Sequence, residues 1–161
     1  ALIGIFLYIV VRFKKWHYGL GAIVALAHDV MFVLASFSLF YGFLPFSLEV
    51  DSEFIAAILT VVGYSINDTV IVFDRIRENL GLHKRDDYKS VVNNALNQTL
   101  SRTINTSLTT IFVLLMIFIF GGDVIRGFVF AMLVGISVGT YSSLCIATPI
   151  VVDLKKEDTV V

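Results

Sequence analysis

An aspartate interrupts a stretch of sequence that is otherwise apolar enough to lie in lipid. Asp68 follows the run EFIAAILTVV at 53–62 and precedes TVIVF at 69–73. A carboxylate near the centre of a membrane-spanning helix costs roughly 2.5–3.5 kcal/mol on insertion scales, so such residues face the bundle interior or water and often mark an ion or proton path. We interpret Asp68 either as part of a proton path or as a polar group that joins helices.

The residues around Asp68 place further polar groups beside it. Tyr64, Ser65 and Arg75 share one helical face with it, and Asn67 is its neighbour in sequence. Burial favours the neutral form of a carboxyl group, and a nearby cation favours its charged form. A carboxyl group held between these influences can take up and release a proton.

A second polar stripe opens the next apolar segment and supplies a cation. In LSRTINTSLTT, Arg102, Asn105 and Thr106 lie on one helical face. The segments that carry Asp68 and Arg102 are predicted to meet at the same side of the membrane. The long guanidinium side chain can then reach either the carboxylate, as its counter-charge in coupling, or the membrane interface.

The pair His28 and Asp29 interrupts another apolar segment near its middle. Adjacent residues point about 100° apart on a helix, so we do not expect these two to form a cluster by themselves. Asp29 is a candidate for a second proton-coupling site or for a structural hydrogen-bonding centre. We expect His28 to support it structurally.

No set of side chains indicates an enzyme, a metal or a cofactor. The sequence contains no P-loop, HExxH, GxSxG or CxxC pattern, and Cys145 is its single cysteine. Two coordinating groups, His28 and Asp29, are too few to propose a metal. We therefore predict no catalytic residues, no metal, no cofactor and no nucleic-acid partner.

The composition indicates an integral membrane protein of all-α class. Hydrophobic residues make up 57% of the 161 residues and charged residues 16%, against about 25% charged in soluble domains. Apolar runs of about 20 residues span a bilayer as helices. We predict a polytopic bundle of about five spans in a single transmembrane domain over 1–161, the first span truncated. The expected spans are 1–12, 19–43, 53–74, 103–121 and 125–152, with a cytoplasmic amphipathic loop at 75–101.

The distribution of charge predicts the orientation. The connections after the first, third and fifth spans carry 11 of the 12 Lys and Arg residues, whereas the opposite connections hold four acids and one base. The positive-inside rule places the basic side in the cytoplasm, so the C-terminus is expected to be cytoplasmic.

Two further patterns predict helix contacts. Gly127, Ala131, Gly135 and Gly139 place a small residue at every fourth position of the last span, a ridge that lets helices approach closely. Pro149 is expected to kink the last turn of that span. In the loop, apolar residues at helical spacing predict an amphipathic helix that lies at the membrane surface or against a partner.

Three stretches resemble one known family. GYSINDTVIVFDRIREN at 63–79 is similar to a characteristic stretch of the SecF family, and AHDV at 27–30 and TLSRTINTS at 99–107 match two others in the same order. The resemblance covers essentially the whole chain and corresponds to the second to sixth membrane helices of the family. It implies that the family's first helix and periplasmic domain lie outside this sequence.

The resemblance implies a function in bacterial protein export. SecF proteins belong to the RND superfamily and form, with SecD, a pseudo-symmetric twelve-helix unit of the inner membrane that associates with the SecYEG channel. That unit uses the proton motive force to help move secreted preproteins outward after the ATP-driven step. By motif, Asp68 matches the family's proton-relay aspartate, Arg102 its essential arginine, and Asp29 the acid of the HDV stretch.

Two other functions fit the same residues. An RND-type exporter of small molecules or lipids would use the same intramembrane acids with a different external domain. A membrane scaffold would need neither proton movement nor a titrating Asp68. Coupling to sodium in place of protons stays open.

Overall fold

Helices account for almost all of the chain that is described. A computed structural model describes residues 2–83 and 87–157. The helices in chain order are α1 (Leu2–Phe13), α2 (Trp16–Phe40), α3 (Ser52–Leu82), α4 (Tyr88–Phe120), α5 (Asp123–Ser142), a π-helical turn (Ser143–Ala147) and α6 (Thr148–Glu157). The predicted all-α class is confirmed.

Within the described residues, four helical stretches are long and apolar enough to cross a membrane: α2, α3, α4, and α5 together with the π turn and α6. α1 is apolar but shorter. The observed α2 begins and ends three residues before the predicted span at 19–43. Many large apolar side chains on these helices are exposed, among them Leu108, Phe112 and Val113, as expected for surfaces that face lipid.

The predicted loop at 75–101 is mostly helical and continuous with the spans on either side. α3 continues to Leu82, and α4 begins at Tyr88 and runs without a break into the membrane segment. The side chain of Asp87 caps the start of α4 by accepting a hydrogen bond from the backbone N–H of Ser90 at 3.2 Å. Because a cap satisfies N–H groups that have no helical partner, it lets α4 start outside the apolar stretch.

The amphipathic beginning of α4 packs against its own chain. Val92 and Ala95 are buried in one apolar cluster with Phe73 and Ile76 of α3. The ammonium group of Lys155 on α6 lies 3.6 Å from the centre of the Tyr88 ring. The apolar face that we predicted to lie at the membrane surface or against a partner is therefore covered from within the bundle.

α5 occupies the middle of the bundle and packs against α2, α3 and α4. Its small residues permit these close approaches. A Cβ atom added to Gly127 would lie 2.8 Å from the carbonyl oxygen of Ser47, and one added to Gly135 would overlap Val61. Ala131 is fully buried.

The last span contains a π turn directly before Pro149. This turn covers Ser143–Ala147, and α6 continues beyond the proline to Glu157. Proline has no N–H to bond the carbonyl four residues earlier, and its ring crowds that carbonyl, which is compatible with a wider turn at this place. The hydroxyl of Thr148 donates to the Ser143 carbonyl at 3.2 Å.

Candidate intramembrane polar site

Buried polar side chains form a layer across the middle of the bundle. On one side of this layer lies an apolar cluster that includes Phe13, Tyr18 and Ile76; we call this the basic end, since most of the Lys and Arg residues lie there. On the other side lies a second cluster that includes Phe37 and Phe54. The polar layer contains Asp29, Ser65, Asp68, Thr69, Thr103, Ser107 and Ser143, all of them buried.

Asp29 is the best-bonded acid of this layer. Its side chain is fully buried, and its Oδ2 accepts a 2.6 Å hydrogen bond from the hydroxyl of Ser65 on α3. Its Oδ1 lies 3.2 Å from Nδ1 of His28. We did not expect His28 and Asp29 to form a cluster by themselves, yet their side chains are in contact.

Gly139 is what allows α2, α3 and α5 to meet at Asp29. A Cβ atom at this position would lie 3.1 Å from the Cβ of Ser65 and 3.5 Å from Oδ2 of Asp29. The glycine predicted to pack helices thus lies directly against the buried carboxylate and its hydrogen-bond donor.

Ser143 and Thr69 extend the polar layer to the π turn. Their hydroxyl oxygens lie 2.9 Å apart, and the Ser143 hydroxyl also bonds the carbonyl of Gly139 at 2.9 Å. Neither residue was among the predicted site residues. Ser143 continues the every-fourth-residue ridge of α5, and that spacing is the signal that points to it.

Asp68 differs sharply from Asp29. It is 3% exposed, yet its Oδ2 is buried without a hydrogen-bond partner among the residues that the structure describes. It lies on the face of α3 that is turned to α4. Tyr64, one turn before it, pairs with Thr110 at 3.3 Å, and Arg75 on the same face donates to Gln98 at 2.6 Å.

Arg102 is the charged group whose electrostatic attraction reaches the Asp68 carboxylate from α4. No ion pair or hydrogen bond joins the two among the described residues. Arg102 is exposed, as are Asn105 and Thr106 of the same stripe. The hydroxyl of Thr106 donates its proton to the backbone carbonyl of Arg102 at 2.9 Å. That proton is therefore not available for a hydrogen bond to Asp68.

A polar cleft of about 400 Å³ opens between α3 and α4 beside Arg102, at the basic end. We call it the α3–α4 cleft. Its walls are formed by Ile71, Asp74, Arg75, Glu78, Gln98, Thr99 and Arg102. Arg75 is engaged by Glu78 at 2.6 Å and by Gln98, and Asp74 pairs with Arg12 at 2.9 Å. Asp68 lies one turn deeper along α3 than Ile71, and about two turns deeper than Asp74 and Arg75.

Asn67 does not join the group that sequence analysis assigned to it. It is exposed and lines a separate groove with Gly63 of α3 and Tyr8 of α1. Because adjacent helical positions point about 100° apart, the residue next to Asp68 faces α1 and not α4.

The two acids thus differ in their contacts. Both oxygens of Asp29 are in contact, Oδ2 with the Ser65 hydroxyl and Oδ1 with Nδ1 of His28, whereas Oδ2 of Asp68 has no hydrogen-bond partner among the described residues. A buried carboxyl group that lies near a cation and is not fixed by hydrogen bonds is the kind of group that can exchange a proton.

Comparison with known proteins gives consistent matches over the whole chain. A family model described as "Protein export membrane protein SecD/SecF, C-terminal" matches residues 1–157. Protein translocase subunit SecF of Rhodothermus marinus is 57% identical over 155 residues, which cover 96% of this chain and 50% of that protein. The SecF of Petrotoga mobilis is 47% identical, covering 97% of this chain and 49% of that protein.

Solved structures agree in fold. The crystal structure of SecDF in its super-membrane-facing form superposes with a TM-score of 0.89 at 46% identity, covering 99% of this chain and 21% of that one. SecDF of Thermus thermophilus, described as a translocon-associated membrane protein, gives a TM-score of 0.82 at 48% identity, covering 94% of this chain and 20% of that one. The chain spans about half the length of the curated relatives it matches.

The resemblance predicted from three sequence motifs is thus confirmed both by sequence and by fold: the chain belongs to the SecD/SecF family of protein-export membrane proteins, and its relatives there are SecF subunits.

Proposed function

We propose that the protein is a membrane subunit of bacterial protein export that couples the proton motive force to late steps of preprotein movement. Its partners are SecD and the SecYEG channel, and secreted preproteins are its substrates in transit. The observation that carries this proposal is the buried Asp68 carboxylate, whose Oδ2 has no hydrogen-bond partner among the described residues and which lies one turn from Ile71 in the wall of the α3–α4 cleft. The guanidinium group of Arg102 attracts this carboxylate from α4. The names of the relatives, protein translocase subunits, support export over small-molecule transport.

The protein acts in the cytoplasmic membrane as a multi-pass component and not as an enzyme. The basic end of the bundle faces the cytoplasm, together with the α3–α4 cleft and the C-terminal helix α6. The charge distribution supports this orientation, since connections at that end carry 11 of the 12 Lys and Arg residues.

Protonation of Asp68 is the event that couples the gradient to movement. In the charged state the carboxylate attracts Arg102 across the α3–α4 contact. A proton neutralises the carboxylate and removes that attraction, so the equilibrium between two arrangements of these helices shifts with the proton as ligand. One charge moved through 100 mV supplies about 2.3 kcal/mol, enough to change such an equilibrium by well over tenfold.

Asp29 is the second candidate for proton coupling, and its contacts favour a structural role in holding helices together. Its two oxygens are already engaged by Ser65 and His28, and it is fully buried. We propose that it fixes α2 to α3, so that a displacement of α3 at Asp68 carries α2 along.

The test is export driven by an imposed gradient in membrane vesicles, using the full-length protein with SecD and SecYEG. Asp68→Asn and Arg102→Met are each expected to remove the gradient-dependent part of export and to leave the ATP-dependent part. Asp123→Asn is the matched control, because Asp123 is an exposed acid paired with Arg126 in the first turn of α5.

Assembly with SecD must be checked for every variant by co-purification. If Asp68→Asn assembles and still responds to the gradient, the carboxylate is structural and the chain acts as a scaffold. If sodium restores the response at zero proton gradient in the wild type, the coupling ion is sodium and the assignment of the proton is wrong.

A further inference from the structure

Thr103 carries a second buried polar atom that lacks a partner. Its side chain is 1% exposed, and its Oγ1 has no hydrogen bond within the described part of the chain. This is unusual for a threonine in a helix, since Thr99, Thr106 and Thr110 all donate to a backbone carbonyl of their own helix. Buried hydroxyl groups are nearly always hydrogen-bonded, and where no protein group serves as the partner, a bound water commonly does.

The contacts between α3 and α4 place this hydroxyl near the level of Asp68. The two helices run antiparallel, and the pairs Tyr64–Thr110 and Arg75–Gln98 fix their register. Asp68 therefore lies opposite the stretch of α4 around Asn105, and Thr103 lies less than about one turn from that level, towards the basic end. Both unpartnered oxygens, Asp68 Oδ2 and Thr103 Oγ1, are thus buried in facing parts of the same helix pair.

Thr103 also stands midway along a line of hydroxyl groups on α4. Thr99, one turn towards the basic end, lines the α3–α4 cleft. Ser107, one turn the other way, accepts a 2.6 Å hydrogen bond from Thr140 of α5. Positions four apart lie on one face of a helix, so these three hydroxyl groups share one face of α4. The line starts at the α3–α4 cleft with Thr99, continues with Thr103 and ends at Ser107, which is bonded to Thr140.

We propose that Thr103 is a positioning residue for proton exchange at Asp68: its hydroxyl holds a water molecule that connects the Asp68 carboxyl group with the α3–α4 cleft. The proposal rests on the proposed function of Asp68. A water at this place gains two protein partners, the hydroxyl and the carboxyl oxygen, which is what a buried water requires.

The proton step needs only these groups. When the Asp68 carboxyl group is deprotonated, its O–H bond breaks and the proton passes to the water, which gives up a proton to water in the cleft. The Thr103 hydroxyl keeps its own proton and only orients the water. Several charged or titratable groups lie near Asp68. Arg102 faces it from α4, and Tyr64 and Arg75 share its face of α3. Asp29 of α2 is separated from it by Ser65, to which it is bonded. The π turn contributes the uncharged Ser143, bonded to Thr69.

The experiment compares two substitutions of Thr103 and one control substitution in the full-length protein with SecD and SecYEG, and measures the rate of gradient-driven export in vesicles. Thr103→Val keeps the shape and removes the hydroxyl, so it is expected to lower this rate by about tenfold, the effect of losing one hydrogen bond in a transition state. Thr103→Ser keeps the hydroxyl and is expected to stay within about twofold of the wild type. Thr60→Val is the control, because that exposed hydroxyl bonds only its own helix, at 2.8 Å to Ala56.

The order of the variants separates this role from packing. A threonine needed only for its methyl group would tolerate valine and suffer from serine, and that order would overturn the proposal, as would a normal rate for Thr103→Val. If Thr103→Val fails to assemble with SecD, the comparison moves to Thr103→Ala against Thr103→Ser. A higher rate for serine then supports the proposal, and equal rates contradict it.

Asp68→Asn measured in parallel separates the two proposals. If it retains gradient-driven export, the proposed function fails and this inference fails with it. If it loses that export while Thr103→Val keeps it, Asp68 is the coupling residue and only the role of Thr103 is wrong.

Discussion

The hydroxyl of Ser65 on α3 donates a 2.6 Å hydrogen bond to Oδ2 of Asp29 on α2. About one turn further along α3, Asp68 is also buried, and its Oδ2 has no hydrogen-bond partner among the described residues. The two acids of the polar layer therefore differ in their contacts: Asp29 is held by hydrogen bonds, and our proposal assigns proton exchange to Asp68.

Ser65→Ala is expected to destabilise the protein because it leaves the buried Oδ2 of Asp29 without a donor. An unsatisfied buried acceptor costs about 1–3 kcal/mol, more when it is charged. The measurement is unfolding in mixed detergent micelles, compared with Ser137→Ala. Ser137 is exposed on α5, and its hydroxyl bonds only its own helix, at 2.7 Å to Leu133. Equal stability of the two variants would mean that the Ser65–Asp29 bond contributes nothing.

Asp68→Asn is expected to leave the free energy of unfolding unchanged or to raise it, although it removes coupling. The native carboxylate is buried without hydrogen bonds, so a neutral amide of the same size relieves the cost of burying a charge. Asp29→Asn, in contrast, is expected to lose about 2 kcal/mol or more, because an amide has a single oxygen and so cannot keep an acceptor atom at both contacts, to the Ser65 hydroxyl and to Nδ1 of His28. The same micelle unfolding measurement tests both. A larger loss for Asp68→Asn than for Asp29→Asn would reverse the assignment of roles.

Periodicity and charge were enough to predict the helices and the face of Asp68. Tyr64, Asp68 and Arg75 share one face of α3 because helical spacing fixes it, and α4 does lie there. The same spacing placed Gly135 and Gly139 in helix contacts. Each of these features depends on the residue spacing within one helix, and that spacing can be read from a single sequence.

Features that depend on two helices were missed or assigned wrongly. Thr69 and Ser143 are common small polar residues, and nothing in either local sequence shows that their hydroxyls meet at 2.9 Å. Asn67 was grouped with Asp68 because the two are adjacent, yet it faces α1. The merging of the amphipathic helix with the fourth span depends on packing against Phe73 and Ile76, which lie far away in sequence.

Gly135→Ala is expected to disturb the central packing of α5 against α3. The added Cβ would overlap the side chain of Val61, which is itself fully enclosed, and overpacking of a dense interior costs about 1–3 kcal/mol. Thermal unfolding in detergent measures the effect. Gly63→Ala serves as the control, because a Cβ there meets nothing within 4 Å and alanine favours a helix. A Gly135→Ala variant as stable as the control would show that α3 and α5 can separate freely at this level.

The pair Thr69 and Ser143 offers a test of how the π turn is held to α3. Ser143→Ala removes the partner of the buried Thr69 hydroxyl and is expected to cost about 1–3 kcal/mol, whereas replacing both residues with Thr69→Val and Ser143→Ala leaves no unpaired hydroxyl. The double variant should therefore lose less than the sum of the two single losses, with a coupling of about 1 kcal/mol in a double-mutant cycle of unfolding free energies. Strictly additive losses would mean that the two hydroxyls, 2.9 Å apart, do not depend on each other. In that case a displacement of α3 at Asp68 would not reach α6 through this pair of hydroxyls.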